Sequence, residues 1–270
     1  MSLPLIDRPP TPLEVEKLRL VLSTYQDGSG QLAYGQDLTL PGWRDFERSV
    51  AFVFRGRAQE SKAVFDVLIP NPDNPNVNYG LSCKMRETLR FLQRTGRITI
   101  EVSNSAGKFW RSISNEGLGE QSYEADPSAA GACLIRLVES WYEEVSIRNK
   151  GNVDTSKSYY LALQWDRRSG VYQLFQISIS LPAPESLEWV ANGRRLLARD
   201  QVGTVLEWYG YSGGQLKYYP FAESAIWSSV PFKLEPLQAE VVEHNLLRKV
   251  REYFPVQWER IADRVEDNGL

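Results

Sequence analysis

The chain has 270 residues and a formal net charge of −3, and 42% of its residues are hydrophobic, which is ordinary for a globular protein. Two cysteines and one histidine, His244, exclude a disulfide framework and a histidine-rich metal site. Hydrolases that pair a serine or cysteine with histidine could use only that one side chain. Proteins that coat nucleic acid without specificity are usually basic, so the acidic balance also argues against that class.

No apolar run reaches the roughly 20 residues that cross a bilayer. The first residues show no basic segment followed by an apolar one, so we expect no signal peptide. These features predict a protein without a membrane partner in the reducing cytoplasm. The sequence contains no GxxxxGK[ST] loop, and no GxGxxG follows a predicted strand, which argues against a nucleotide cofactor.

The N-terminal half alternates between helical and strand periodicity. Apolar spacing predicts helices at 11–24 and 42–54, separated by a polar, glycine-rich loop at 26–41. Residues 63–69 (AVFDVLI) read as a strand, and 79–85 (YGLSCKM) as the strand that returns after the turn-forming segment PNPDNPNVN. The following predicted elements are a short helix at 87–94, a strand at 97–104 and a longer helix at 127–147.

The C-terminal half is richer in strands. Four strands are predicted, at 158–165, 171–181, 204–211 and 215–221. A closing helical segment at 237–265 is expected to break at Pro255. The whole predicts an α/β (α+β) fold with a central mixed sheet flanked by helices, in one unit spanning 1–270. Its catalytic core would cover about 42–150, and a β-rich addition about 155–235.

Two predicted strands carry polar side chains to a common face. Side chains alternate along a strand, so Asp66 lies on one face of its strand, and Ser82 and Lys84 share one face of the next. A hairpin can therefore bring these three residues together. An aspartate inside AVFDVLI is costly unless a cation or hydrogen bonds satisfy it. A metal ion with the lysine would do so, and so would a plain ion pair between Asp66 and Lys84.

Glu47 is the acid that the helix at 42–54 places on its apolar side. At about 100° per residue it falls in the direction of Trp43 and Val50. A helix packed on the hairpin could bring Glu47 to the same metal ion as Asp66, although a buried ion pair with an arginine would also explain its position.

The stretch from 84 to 112 is basic within an acidic chain, with seven Lys or Arg and two Glu. This charge is as consistent with a DNA-facing groove as with a solvated helix face. Asn104 and Lys108, in SNSAGKFW, follow a predicted strand and could contact DNA, but an ordinary turn is equally consistent. The segment GYSGGQLKYYP could contact DNA as a hairpin, although Gly-Gly hairpins are common.

An aspartate on one strand, followed on the next by a tripeptide ending in lysine, resembles the motif of the PD-(D/E)XK nuclease superfamily. The order helix–strand–strand–helix–strand resembles its core. Most of the chain also resembles a restriction endonuclease family, through LPGWRDFERSVAFVF, ESKAVFDVLIP, YGLSCKMRETL, EVSNSAGKFW and EWYGYSGGQLKYYP. The resemblance implies a Mg²⁺-dependent type II endonuclease that acts on double-stranded DNA as a homodimer. Asp66, Ser82, Lys84 and Glu47 would be catalytic, and Arg86, Asn104 and Lys108 would bind DNA.

The motif departs from the superfamily at two positions. Phe65 stands where proline usually precedes the aspartate, and Ser82 stands where an acid usually precedes the lysine by two residues. Some restriction enzymes with serine there recruit a glutamate from elsewhere. The candidates are Glu47, which we prefer as the second metal ligand beside Asp66, and Glu60, Glu87 and Glu101. Two other functions stay open: a nuclease that reads DNA structure in repair or recombination, and a non-catalytic DNA-binding protein on the same fold.

Overall fold

The structure, a computed structural model, describes residues 2–34, 38–59, 64–120, 122–211, 214–237 and 246–266. Within these ranges the helices are α1 Pro12–Ser23, α2 Trp43–Val53, α3 Leu89–Thr95, α4 Ala106–Asn115, α5 Pro127–Val145, α6 Leu246–Tyr253 and α7 Pro255–Glu266. The strands in the first half are β1 Leu32–Tyr34, β2 Leu38–Leu40, β3 Arg57–Ala58, β4 Val67–Asn71, β5 Asn74–Arg86 and β6 Ile100–Ser103. The later strands are β7 Tyr159–Asp166, β8 Val171–Ser178, β9 Glu188–Asn192, β10 Arg195–Arg199, β11 Thr204–Tyr209, β12 Gln215–Tyr218, β13 Trp227–Ser228 and β14 Phe232–Lys233.

Hydrogen bonds within the first turn define where the first two helices begin. Thr11 Oγ1 accepts from the backbone N–H of Glu14 at 3.2 Å, while the Glu14 carboxylate accepts from the Thr11 N–H at 2.7 Å. This reciprocal capping satisfies donors that a helix start leaves without partners. At α2 the Asp45 carboxylate accepts from the N–H of Gly42 at 2.8 Å, which fixes the start of the helix that carries Glu47.

The largest sheet is mixed. Its strand order is β13-β8-β7-β5-β4-β3, and β14 pairs with β8 as well. The pair β5–β7 is parallel, and the other pairs in the sheet are antiparallel. Parallel neighbours need a long crossover connection, and the chain between β5 and β7 contains α3, β6, α4 and α5. The sheet therefore draws strands from both the predicted core and the predicted β-rich segment.

Helices cover both faces of this sheet. One face packs against α1 and α2, with Leu18, Phe46 and Val50 buried together with Leu81 and Cys83 of β5. On the other face, a second apolar cluster joins α3 and α5 to residues such as Tyr160 and Ala162 of β7. Alternation along β5 thus separates Cys83, which faces the first cluster, from Ser82 and Lys84.

A second sheet, antiparallel throughout, has the strand order β6-β12-β11-β10-β9. Helices α4 and α5 pack on one of its faces, where the largest buried side chains include Phe109, Leu134 and Trp208. The strand β6 joins this sheet, so the chain leaves the mixed sheet after β5 and returns to it at β7. The α/β class and the central mixed sheet are confirmed. The strand β6, which lies in the predicted catalytic core, pairs with β12 in the second sheet.

Several predicted elements differ from the structure in their bounds. The strand expected at 63–69 begins at Val67, and residue 63 lies outside the described ranges. The turn expected over 70–78 contains only two loop residues, because Asn71 pairs with Asn74 and β5 already begins there. The loop expected at 26–41 contains the β1–β2 hairpin. The SNSAGKFW segment starts helix α4, which the sequence analysis missed, whereas the expected break at Pro255 separates α6 from α7.

Among the helices that the structure describes, none is long and apolar enough to span a membrane.

Candidate active site

Asp66 stands where the β4–β5 hairpin opens, one residue before β4. Its backbone N–H donates to the carbonyl of Leu81 at 3.1 Å, and its own carbonyl accepts from the N–H of Gln59 at 2.8 Å. Since Val67 pairs with Leu81, the antiparallel register places Asp66 opposite Ser82. The backbone of Asp66 is thus held from both sides although the regular strand starts only at Val67.

The side chains of Asp66, Ser82 and Lys84 meet on one face of the hairpin. The Lys84 ammonium donates to Asp66 Oδ2 at 3.0 Å, and the Ser82 hydroxyl donates to the same oxygen at 3.3 Å. Ser82 is buried, while the Asp66 and Lys84 side chains keep 23% and 20% of their surfaces exposed. The pair therefore keeps contact with the space in front of it, and a ligand could reach both groups.

An aromatic layer supports Asp66 from below. The Phe65 ring lies against Gly80, where an added Cβ would come within 2.3 Å of the ring. Phe65 also stacks on Tyr142 with ring centroids 5.6 Å apart, and the hydroxyl of Tyr142 is 2.6 Å from that of Tyr160. Tyr160 is buried and Tyr142 is half-buried, and desolvation raises the pKa values of both phenols well above the ordinary value, so they stay neutral beside Asp66.

Glu47 reaches the same site from α2. It is half-buried, and both Asp66 and Lys84 act on its carboxyl electrostatically. Burial first, and then the negative charge of Asp66, raise the pKa of Glu47 to about 7, against the opposing effect of Lys84. A carboxyl whose charge is disfavoured by burial and by a neighbouring carboxylate is typical of functional centres, although structural networks also produce such shifts.

These residues line one cleft with a volume of about 1040 Å³. The cleft lies where β4 begins and β5 ends, between the start of α2 on one side and α5 with the start of α4 on the other. All the residues that the sequence analysis singled out as catalytic, metal-binding or DNA-binding line it: Glu47, Asp66, Ser82, Lys84, Arg86, Asn104 and Lys108. Lining the cleft shows that they are close together, and their roles stay predictions.

The three residues predicted to bind DNA differ in how free they are. Arg86 forms an ion pair with Glu101 on β6, and Gln215 Nε2 also donates to Glu101 at 2.6 Å. Asn104 is exposed at the end of β6, and Lys108 is exposed on the first turn of α4, with its Nζ 5.4 Å from the centre of the Trp141 ring. Asn104 and Lys108 are therefore open to a ligand, whereas Arg86 is already held by a carboxylate.

The other candidate acids, the cysteine beside the site and the single histidine lie in different surroundings. Glu87 lies just before α3, is exposed to solvent and is 3.5 Å from Arg167. Glu101 lines the cleft but is engaged by Arg86 and Gln215. Cys83 is buried in the core, as its position on the strand predicts. Glu60 and His244 lie outside the described residues.

The sequence analysis missed three aromatic residues that line the cleft. Trp43 is the first residue of α2 and is 51% exposed, although helical periodicity had placed it on the apolar side. Trp141 and Tyr142 come from α5. Their positions in a helix predicted to be a core element gave no signal of the cleft, because only the packing of α5 beside the β4–β5 hairpin brings them there.

The oxygen atoms of Glu47, Asp66 and Ser82 suit a hard divalent cation. Mg²⁺ prefers oxygen ligands and is commonly held by one or two carboxylates. Within the described ranges no group of three or more His, Cys, Asp or Glu side chains could hold a metal. Burial and then the charge of Asp66 raise the pKa of Glu47, and a bound cation would oppose both effects.

Searches with protein-family models, among curated proteins and among solved structures found no match to this chain. Its function is therefore argued from the cleft itself.

Proposed function

We propose that the protein is a Mg²⁺-dependent endonuclease that hydrolyses phosphodiester bonds of double-stranded DNA at specific sites, in the manner of a type II restriction enzyme. One observation carries the proposal. Lys84 Nζ is 3.0 Å from Asp66 Oδ2 on adjacent strands, in a cleft that also contains the Glu47 carboxyl. A lysine and two acids at the open end of a hairpin form the group of charges that the PD-(D/E)XK resemblance implies.

The order of elements around the site supports a restriction-endonuclease-like core. Helix α2 precedes the β4–β5 hairpin, and α5 leads into β7, which lies parallel to β5. Together with α2 and the hairpin they would supply the helix–strand–strand–helix–strand order of the resemblance, with α3, β6 and α4 between β5 and α5. In this proposal α5 and β7 take the places that the sequence analysis gave to the segments 87–94 and 97–104.

The chemistry follows from the side chains. Hydrolysis of a phosphodiester develops negative charge on the phosphoryl oxygens. Lys84 would donate hydrogen bonds to those oxygens or orient the attacking water, while Ser82 holds the Asp66 carboxylate through its hydroxyl. Glu47 and Asp66 would hold Mg²⁺, which supplies Lewis-acid stabilisation of the same charge. The half-buried setting strengthens these interactions relative to water.

The proposed partners are duplex DNA and a second copy of the chain. Asn104 and Lys108, both exposed beside the acids, would contact the backbone or base edges, and Arg86 would join them once released from Glu101. Each chain would have one active centre, so a two-fold dimer is the simplest way to cut both strands of a palindromic site. Both cysteines are free and buried, which is consistent with the reducing cytoplasm.

The test is a digest of a long linear duplex by the purified protein, with Mg²⁺ and separately with EDTA. Discrete fragments that appear only with Mg²⁺ would support the proposal. Cleavage confined to branched, flapped or mismatched DNA would favour a repair or recombination nuclease instead. DNA binding without cleavage in Mg²⁺ or Mn²⁺ would contradict the enzymatic function and support a binding protein on this fold.

A further inference from the structure

Two indole rings line the cleft on either side of the carboxylates. Trp43 comes from the first turn of α2, one turn before Glu47, and Trp141 comes from α5. Trp43 is 51% exposed, so much of its indole is accessible to a ligand. Trp141 is half-buried, packed against Phe109 at 5.6 Å.

Each indole is accompanied by a cationic side chain. The Arg44 guanidinium lies 4.9 Å from the centre of the Trp43 ring, and the Lys108 ammonium lies 5.4 Å from that of Trp141. Both cations are exposed. An aromatic ring beside a cation is the arrangement by which proteins hold unpaired nucleotides, because the base stacks on the ring while the cation neutralises its phosphate.

The bases of an intact duplex are stacked on each other and offer no free face to an indole. Contacts to a duplex backbone require charges and hydrogen-bond donors, which this cleft supplies without any tryptophan. An exposed indole and a half-buried one beside the candidate phosphodiester site therefore indicate a nucleotide that has left the stack.

We propose that the cleft binds an unpaired nucleobase of its DNA substrate by stacking on Trp43, with Trp141 as the second aromatic wall. This inference rests on the proposed DNA function and deepens it. Trp43 determines which DNA is preferred and takes no part in the bond cleavage assigned to Asp66 and Lys84.

Binding is measured by fluorescence anisotropy with Ca²⁺ in place of Mg²⁺, so that affinity is read separately from cleavage. Three labelled probes share one sequence: a paired duplex, the same duplex with one unpaired thymine, and a single strand. The wild-type protein is expected to bind at least one of the unpaired probes about five- to hundredfold more tightly than the paired duplex, the range that stacking of one base supplies. Trp43→Ala should remove this preference, and Trp43→Phe should retain most of it.

Tyr34 offers a matched control, because it is an exposed aromatic residue that does not line the cleft. Tyr34→Ala should bind all three probes as the wild type does. Trp43 is largely exposed, so its replacement should leave the melting temperature unchanged. A second readout uses 5-iodouracil at the unpaired position: irradiation should crosslink it to Trp43 or Trp141, located by mass spectrometry.

Equal affinity for paired and unpaired probes, unchanged in Trp43→Ala, would overturn the inference. If the wild type nevertheless cuts duplex DNA in Mg²⁺, the proposed nuclease function stands without base stacking on Trp43. If no probe binds and no DNA is cut, both proposals fail. A preference for unpaired DNA that survives in Trp43→Ala, with crosslinks outside the cleft, would also overturn the inference, because the preference would then arise elsewhere on the protein.

Discussion

The negative charge of Asp66 raises the pKa of Glu47, and only the burial of Glu47 contributes more to this rise. The pKa of Glu47 reaches about 7. The two acids are 19 residues apart, one on α2 and the other just before β4, and their shared cleft is the main feature that the tertiary structure adds to the motif. The relationship can be measured directly, because a raised carboxyl pKa changes stability with pH and also changes affinity for a cation.

The first prediction concerns stability without metal. The pKa of Glu47 is raised from 4.5 to about 7 in the native state. Between these two pH values, the native state keeps a proton on Glu47 that the unfolded state has already released. Stability is therefore lost as pH rises through this window. In EDTA at pH 8, Glu47→Gln should be more stable than the wild type by on the order of 1–3 kcal/mol. The difference should vanish below pH 4.5, as measured by urea unfolding at both pH values. If the stability difference between Glu47→Gln and the wild type did not change with pH, the pKa of Glu47 would not be raised in the native state.

The second prediction concerns the metal. If Glu47 is the second ligand, Glu47→Gln should cut DNA poorly at low Mg²⁺ and recover partly at high Mg²⁺, because the amide weakens binding without blocking it. Ser82→Ala should be milder, since a hydroxyl contributes less to a divalent cation than a carboxylate does. Cleavage rates across a Mg²⁺ titration provide the measurement. Normal cutting by Glu47→Gln, with loss of activity on substituting Glu60, Glu87 or Glu101, would place the missing acid elsewhere.

The third prediction concerns the central pair. Asp66→Asn and Lys84→Ala should each lower single-turnover cleavage by at least about a thousandfold while the protein stays folded, because each removes charge needed in the transition state. The Lys157–Asp7 pair is a matched control, with the same 3.0 Å separation between exposed side chains outside the cleft. Lys157→Ala should cut normally. Substantial activity in either active-site variant would refute the assignment.

The fourth prediction concerns the support beneath Asp66. Gly80→Ala would place a Cβ 2.3 Å from the Phe65 ring, so the ring must shift and Asp66 with it. We expect a loss of stability of about 1–3 kcal/mol from overpacking, together with slower cleavage. Gly119→Ala is the control, because its nearest neighbour would be a Ser122 oxygen at 4.0 Å. Circular dichroism melts and cleavage rates measure both effects. Unchanged cleavage would mean that Phe65 does not position Asp66.

Local spacing along the chain was sufficient to predict the pairing of Asp66 with Ser82 and Lys84. Strand alternation and a short turn determine which side chains share a face, and both are readable from neighbouring residues. The same reasoning predicted α2 and placed Glu47 toward the interior, because helical periodicity is also local. Even an error of four residues in the start of β4 did not change the face on which Asp66 lies.

What only the tertiary structure decided is which distant elements surround that hairpin. The pairing of β6 with β12, and of β7 with β5, depends on contacts between segments more than fifty residues apart, for which the sequence has no local periodic signal. Helix α4 was missed although Phe109 and Ile113 are spaced as on one helix face, because the polar residues and glycine of SNSAGKFW are also typical of a turn. Trp43 lies beside Glu47 because both are on α2, one turn apart, whereas Trp141 lies beside the carboxylates only because the folded chain packs α5 next to the β4–β5 hairpin.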